Sequence, residues 1–433
     1  MRMRCIALPL FVAVLPEALA YPQSLDDTNF VFGAIGDSWA SGVSYSKDTE
    51  YNGDPTCSRL IHAWSTVVDA RYSEWAPDKN KKPQFEFKAC AGARMENMME
   101  QMDQLTRPKI VFMEVSGNDA DFYPMADACL FHQYPLTTYG PRFEDDDRNE
   151  PKGLCMKEVK LVRDRIENAE FQKKYHTLID NWRAHKAVVG NDATLFVHGY
   201  PWFFGPAMDD YCEKSTFQIA INPFPAQYLV KSLRLEFNTL IDIINGDIKR
   251  AVESFNDPKI QWIDINPAFD GHRFCEPGHT DWDQHNTGDK VWIWNAPGRW
   301  SVTVWNGKET HSYDSATDKL PQDLIDKVID HPDGPPERFP DTFIQGFQNP
   351  AFPDLRVEYK LNKIDPSPDT QGPELLGSGG SGSKFRTLHP RQQGHSAMAD
   401  KIIKRLQTYY GTVGAPGPCP AGCDCSAGVP RCT

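Results

Sequence analysis

Residues 36–39 read Gly-Asp-Ser-Trp, directly after an apolar run over 30–35. A serine at a strand end, followed by the small residues Ala40, Ser41 and Gly42, can expose its Oγ where a helix begins. That is the backbone-framed position a nucleophile needs. By itself the tetrapeptide more readily describes an ordinary strand-to-loop turn. Three later segments add what acyl transfer also requires, a base for the serine proton and donors aimed at the developing oxyanion. Cys90-Ala91-Gly92-Ala93 follows the strand-like Phe85-Glu86-Phe87 and offers the Gly92 N–H, unhindered by a side chain. Val115-Ser116-Gly117-Asn118-Asp119 ends a second apolar run, so the Asn118 amide can project into the same space. His389 stands in Leu388-His389-Pro390, and Pro390 suits the entry to the helical segment that follows.

Positioning these residues requires strands that end beside one another. Four apolar, partly β-branched runs, at 30–35, 110–115, 194–198 and 260–265, read as buried parallel strands. Helical periodicity fills the intervals 157–185, 228–252 and 396–409. Strands alternating with helices predict a three-layer α/β/α sandwich around a central parallel sheet, of flavodoxin-like type. Such a sheet places ligand sites beyond the carboxyl ends of its strands, where Ser38 and Asn118 both fall. The predicted domain runs from about residue 27 to 411. Residues 276–383 depart from the alternation as a long insertion. Trp282, Trp292, Trp294, Trp300 and Trp305 cluster in it, and 364–383 has the composition of a flexible linker. The tryptophans could stack on sugar, line an acyl pocket or simply pack a core. Residues 412–433 form a Gly/Pro/Cys tail, read as a stapled terminus.

The first 20 residues combine a basic start, a short apolar stretch and Ala18-Leu19-Ala20, the pattern of a cleaved secretory signal. No later segment is apolar enough to span a bilayer, which predicts an exported, extracellular protein without integral membrane association. Of 11 cysteines, Cys5 would leave with the signal, and the even remainder reads as a disulfide framework. Cys423-x-Cys425 is the one tight pair, with no histidine beside it, so neither metal nor another cofactor is expected. The formal charge of −13 argues against nucleic acid as a partner. An ester substrate and a monomeric state are expected.

Taken together, Ser38 in Gly-Asp-Ser, Gly92, Asn118 in Gly-Asn-Asp and His389 in His-Pro resemble, in order and strand-end placement, the four blocks of the SGNH (GDSL-type) hydrolase superfamily. The resemblance implies a serine carboxylic-ester hydrolase of esterase or lipase type. Ser38 would attack, His389 would act as base and then acid, and the Ser38 N–H, the Gly92 N–H and the Asn118 side chain would form the oxyanion hole. Cys57-Ser58-Arg59, Gly199-Tyr200-Pro201 and Gly271-His272-Arg273-Phe274-Cys275 further resemble the secreted branch with three disulfides. That likeness implies the pairs Cys57–Cys90, Cys129–Cys155 and Cys212–Cys275.

One departure stands out. The superfamily usually places Asp three residues before the histidine, where this chain has Arg386. A guanidinium cannot accept the imidazole Nδ1 proton. A Ser–His dyad oriented by the Arg386 main-chain carbonyl is the expectation, with Asp281 or Asp283 as the weaker option. Asp37 and Asp119 are expected to stabilise loops, and His272 and His395 to be structural. Trp39 could line the acyl pocket or cover the helix start. The alternative function is a catalytically inactive protein of this fold that binds glycan through the tryptophan-rich insertion. A glycoside hydrolase would need paired carboxylates across a cleft.

Overall fold

The computed structural model describes residues 30–43, 50–53, 56–131, 140–207, 210–215, 217, 227–279, 282–285, 289–295, 300–305, 308–314, 344–348, 356–361, 387–413, 423–424 and 431–432. The expected signal at 1–20, the linker at 364–383 and Arg386 lie outside these residues.

Strands β1 (Val31–Gly36), β3 (Ile110–Glu114) and β4 (Thr194–His198) are buried along their whole length. Side chains on both faces of such strands need cover, which is the condition of a parallel sheet sandwiched between helices. With β2 (Gln84–Phe87) and β5 (Ile260–Ile263) they form a five-stranded, all-parallel sheet in the order β2-β1-β3-β4-β5. The chain reverses direction of growth between β1 and β3, and the crevice beyond their carboxyl ends is the natural ligand position in this topology.

Helix α1 (Ser38–Ser41) leaves β1 at once, and α2 (Trp64–Ala70) and α3 (Met98–Asp103) bracket β2. After β3 come α4 (Phe122–Ala126), α5 (Leu154–Ile166) and α6 (Ala169–Ala184). The single helical segment expected over 157–185 is therefore two helices. The break falls at Asn168, whose side chain accepts from the Glu170 N–H and caps a new start. Helix α7 (Lys231–Ser254) leads to β5, and α8 (Gln392–Val413) closes the domain by packing on α2. α7 packs on α5 and α6. The expected three-layer α/β/α class is what the sheet and helices form.

Within the tryptophan-rich stretch lie β6 (Trp300–Trp305), β7 (Thr310–Asp314), β8 (Ile344–Gln348) and β9 (Arg356–Leu361), an antiparallel sheet in the order β7-β6-β9-β8. The insertion thus carries strands of its own, and the β-branched and aromatic alternation of Trp300-Ser301-Val302-Thr303-Val304-Trp305 is their signal in the sequence. In the tail, β10 (Cys423–Asp424) pairs with β11 (Arg431–Cys432), placing Cys423 opposite Cys432.

Cys57–Cys90, Cys129–Cys155 and Cys212–Cys275 are all joined, as the resemblance implied. Disulfides of this number fit an oxidising compartment. No helix among the described residues is long and apolar enough to cross a membrane.

Candidate active site

Gly36 ends β1 at φ 149°, and a Cβ there would lie 2.1 Å from the Glu114 carbonyl oxygen and 2.6 Å from Ala40 Cβ. Only glycine lets the chain turn this tightly against β3. The buried Gln101 amide fixes the turn from α3. Its Nε2 donates to the Gly36 carbonyl at 2.9 Å, and its Oε1 accepts the Gly36 N–H at 2.8 Å. Asp37 then caps α1 by accepting the Trp39 N–H at 3.0 Å, and Gly42, at φ 83°, ends the turn. Ser38 is thereby the first residue of a helix planted on the rim of the sheet.

The Gly92 segment is tied to the same rim. The Cys90 N–H donates to the Gly36 carbonyl at 3.0 Å, and the Ala91 N–H to the Cys57 carbonyl at 3.0 Å, beside the Cys57–Cys90 bridge. Gly92 adopts φ 82° and is exposed. From the end of β3, Asn118 Nδ2 donates to the Ala93 carbonyl at 3.0 Å, leaving its second N–H for another acceptor. Asp119 accepts the Met95 N–H at 3.0 Å, so it joins the two loops as expected of a loop-stabilising residue.

His389 reaches this rim from the far end of the chain. Its Nε2 lies 2.7 Å from Ser38 Oγ, and its Nδ1 lies 3.0 Å from the Thr387 carbonyl oxygen. With Nδ1 donating to that carbonyl, Nε2 carries the free lone pair and the Ser38 hydroxyl donates to it. The carbonyl on the imidazole is thus that of Thr387, one residue on from the expected Arg386. Asp283 accepts from Lys290 Nζ at 3.1 Å, and Asp281 lies outside the described residues. The histidine loop is held by its main chain. The Trp294 N–H donates to the His389 carbonyl and the Leu388 N–H to the Trp294 carbonyl, both at 2.8 Å, and the Arg391 N–H donates to the Trp292 carbonyl at 2.7 Å. Leu388 takes φ 60°, a left-handed conformation that costs a branched residue energy.

Ser38, Asn118 and His389 line one open cleft. Gly92 lies beside this lining rather than in it. The rest of the wall is largely apolar: Trp39, Phe122, Ala126, Phe203, Ile241, Ile244 and Leu388. Trp39 serves in both of the ways considered, since it lines the cleft and is 94% covered, packed edge-on to Tyr200. Of the tryptophans, Trp292 stacks on His272 and Trp294 carries the Arg391 guanidinium over its ring. His272 Nδ1 also meets the Lys290 carbonyl at 2.8 Å, and His395 is fully buried.

Three neighbours of the site escape the sequence reading. Tyr200 OH donates to Asp37 Oδ2 at 3.0 Å and accepts the Gly117 N–H at 2.8 Å. Glu114, the last residue of the central strand β3, is fully buried. Burial raises its carboxyl well above the ordinary range, and the adjacent Asp37 charge adds to this. Burial likewise raises Asp37 from 3.8 to about 6, against its hydrogen bonds from Trp39, Tyr200 and Glu114. A charged residue inside an otherwise apolar run was the available signal for Glu114. Gly199-Tyr200-Pro201 at a strand end was the signal for Tyr200. Gln101 left none, because nothing local marks a helix residue that reaches across to another strand.

No protein-family profile and no curated protein matches the sequence. Among solved structures the chain is similar to an extracellular lipase from Streptomyces rimosus, at 19% identity and TM-score 0.43 over 61% of this chain and 87% of that one. It is similar also to phospholipase A1 from Streptomyces albidoflavus NA297, at 20% identity and TM-score 0.43 over 62% and 88%. A family two carbohydrate esterase from Clostridium thermocellum matches at 13% identity and TM-score 0.28 over 57% and 56%.

Proposed function

We propose that this chain is a secreted serine carboxylic-ester hydrolase, working through a Ser38–His389 dyad. The observation that carries the reading is the 2.7 Å contact between His389 Nε2 and Ser38 Oγ at the mouth of an apolar cleft. In the reaction, Oγ forms a bond to the ester carbonyl carbon as its proton passes to Nε2. Charge that develops on the carbonyl oxygen is met by the Ser38 and Gly92 N–H groups and the Asn118 amide. Collapse of the intermediate breaks the bond to the alcohol oxygen, which takes the proton from Nε2. Water then repeats the sequence on the acyl-enzyme and releases the acid.

The Thr387 carbonyl holds Nδ1 as the donor, which is the tautomer the base requires. A carbonyl orients the ring as a carboxylate would, without the charge that helps an imidazolium. The apolar wall formed by Phe122, Ala126, Phe203, Ile241 and Ile244 suits an acyl chain, since burying each methylene contributes about 0.8 kcal/mol. Apolar acyl esters are therefore the substrate class, with the alcohol side toward the open mouth.

A fluorophosphonate tests this directly, because it reacts only with an activated serine. The purified, disulfide-intact protein should carry the adduct on Ser38 by peptide mass spectrometry. Ser38→Ala should carry none and lose at least about 10⁴-fold in kcat. Folded protein that takes up no label would remove the esterase reading.

A further inference from the structure

Beneath Ser38 lie two carboxyl groups that the reaction itself does not use. Asp37 is 1% exposed and Glu114 is not exposed at all. They meet at the junction of β1 and β3, where the Asp37 N–H also donates to the Glu114 main-chain carbonyl at 3.0 Å. Two carboxylates in contact inside an apolar core cannot both be ionised. Their partners decide which one holds the proton. Asp37 receives the Trp39 N–H and the Tyr200 hydroxyl, each at 3.0 Å, and both favour its charged form. The Tyr200 hydroxyl and the Ala40 N–H also face Glu114, but neither Glu114 oxygen has a partner within hydrogen-bond distance and angle. The proton rests on Glu114, whose carboxylic acid then serves as the third donor to Asp37.

We propose that Asp37 and Glu114 share a single proton beneath the nucleophile, and that this pair positions both halves of the oxyanion hole through Tyr200. The proposal rests on the reading of Ser38 as nucleophile. Its physical content is one chain of hydrogen bonds. Glu114 donates to Asp37, Tyr200 donates to Asp37, and the Gly117 N–H donates to Tyr200 at 2.8 Å. One end of the chain caps the turn that carries Ser38. The other end holds the residue before Asn118. A second proton on the pair breaks the chain, because it occupies one Asp37 oxygen, and Asp37 can then no longer accept from Glu114, Tyr200 and the Trp39 N–H together. Activity should therefore fall on the acid side through Asp37, independently of His389.

The groups facing the pair are Tyr200 after β4, Tyr175 from α6, and Asp119 from the loop after β3. Arg94 and Lys174 act on Asp119 from beyond it, and His389 stands across Ser38. Burial raises Tyr175 and Tyr200 well above the ordinary phenol, so both stay neutral across the working range.

The test measures kcat and KM against pH for the whole mature protein on a soluble aryl ester, with an infrared spectrum of each variant. Removing a donor to Asp37, by Glu114→Met or Tyr200→Phe, should move the acid limb of kcat upward by about one to two pH units with KM little changed. Glu114→Gln replaces the acid with an amide donor, so its limb should return to within about half a unit of the parent's. The parent should show a protonated-carboxyl stretch at neutral pH that Glu114→Gln lacks. Limbs that superimpose across all four proteins, or no such stretch in the parent, would overturn the pair. The infrared arm needs no turnover, so it separates failure of this proposal from failure of the esterase reading.

Discussion

The two halves of the proposed dyad are held in opposite ways. Ser38 sits at the end of a buried central strand, fixed by side chains: the Gln101 amide on Gly36, the Asp37 cap and the Tyr200 hydroxyl behind it. His389 sits 351 positions later on a loop fixed by main chain, through its bonds to Trp294 and the Thr387 carbonyl on Nδ1. Side-chain support depends on residue type, whereas main-chain support depends only on the path of the chain. On the proposed reading, the difference accounts for Arg386 standing where the superfamily that the motifs resemble has an acidic residue. A loop that aims a carbonyl at the imidazole has no need of a carboxylate there, provided the loop itself is held.

The largest effect should come from breaking the serine side at Gly36. Gly36→Ala puts a methyl group 2.1 Å from the Glu114 carbonyl oxygen, and β1 cannot move without leaving the sheet. A loss above about 4 kcal/mol, enough to leave the chain unfolded, is expected. Circular dichroism and thermal melting of the purified variant check it, and a cooperative melt near the parent's would show that the rim is not rigid.

The two sides also respond to acid with opposite signs. On the histidine side, burial lowers fully buried His395 from 6.5 to about 3. Below pH 6.5 the unfolded chain takes a proton that the folded one refuses, so stability falls as pH drops toward 3. On the serine side, Asp37 is raised from 3.8 to about 6. There the folded chain takes the proton first, so stability rises as pH falls through that window. His198, also fully buried and lowered from 6.5 to about 4, acts with His395. Glu114, raised well above the ordinary range, acts with Asp37, so denaturant unfolding from pH 7 to about 4 sets the two histidines against the two acids. His395→Leu should remove about 3 kcal/mol of the histidines' loss, at about 1.4 kcal/mol for each pH unit of titration difference. An unchanged slope in the variant would mean that His395 reaches solvent or a proton partner.

The same contrast explains what could be read from the sequence. Ser38, Asn118 and His389 were legible because each stands at the end of an apolar run or beside a helix entry, and the parallel sheet followed from strands alternating with helices. Strand ends are local properties. The supports are not. Gln101 lies 65 positions from the Gly36 it clamps, and Trp294 about a hundred from the histidine loop. The carbonyl on Nδ1 was assigned to Arg386 because main-chain direction cannot be read from residue type; the left-handed turn at Leu388 brings in Thr387 instead. The tryptophans drew attention as a binding surface. Trp292 and Trp294 pack against His272 and Arg391, with their backbone in the ladder that holds His389.

That ladder offers the smallest and sharpest test of the comparison. Trp294→Pro removes the N–H that meets the His389 carbonyl at 2.8 Å but keeps the acceptor for the Leu388 N–H. The imidazole should lose alignment without the cleft changing its lining. A fall in kcat of about tenfold is expected, worth about 1.4 kcal/mol in the transition state, with KM within about twofold. Trp294→Phe keeps both main-chain bonds and an aromatic face for Arg391, whose guanidinium carbon stands 5.1 Å from the ring centroid. Its kcat should stay within about threefold of the parent's, as expected of a change that mainly trims packing. If Phe costs as much as Pro, the indole holds the loop and the histidine side is no less dependent on residue type than the serine side. If only Pro is costly, the main chain alone carries the imidazole, and any residue with an N–H will serve at position 294.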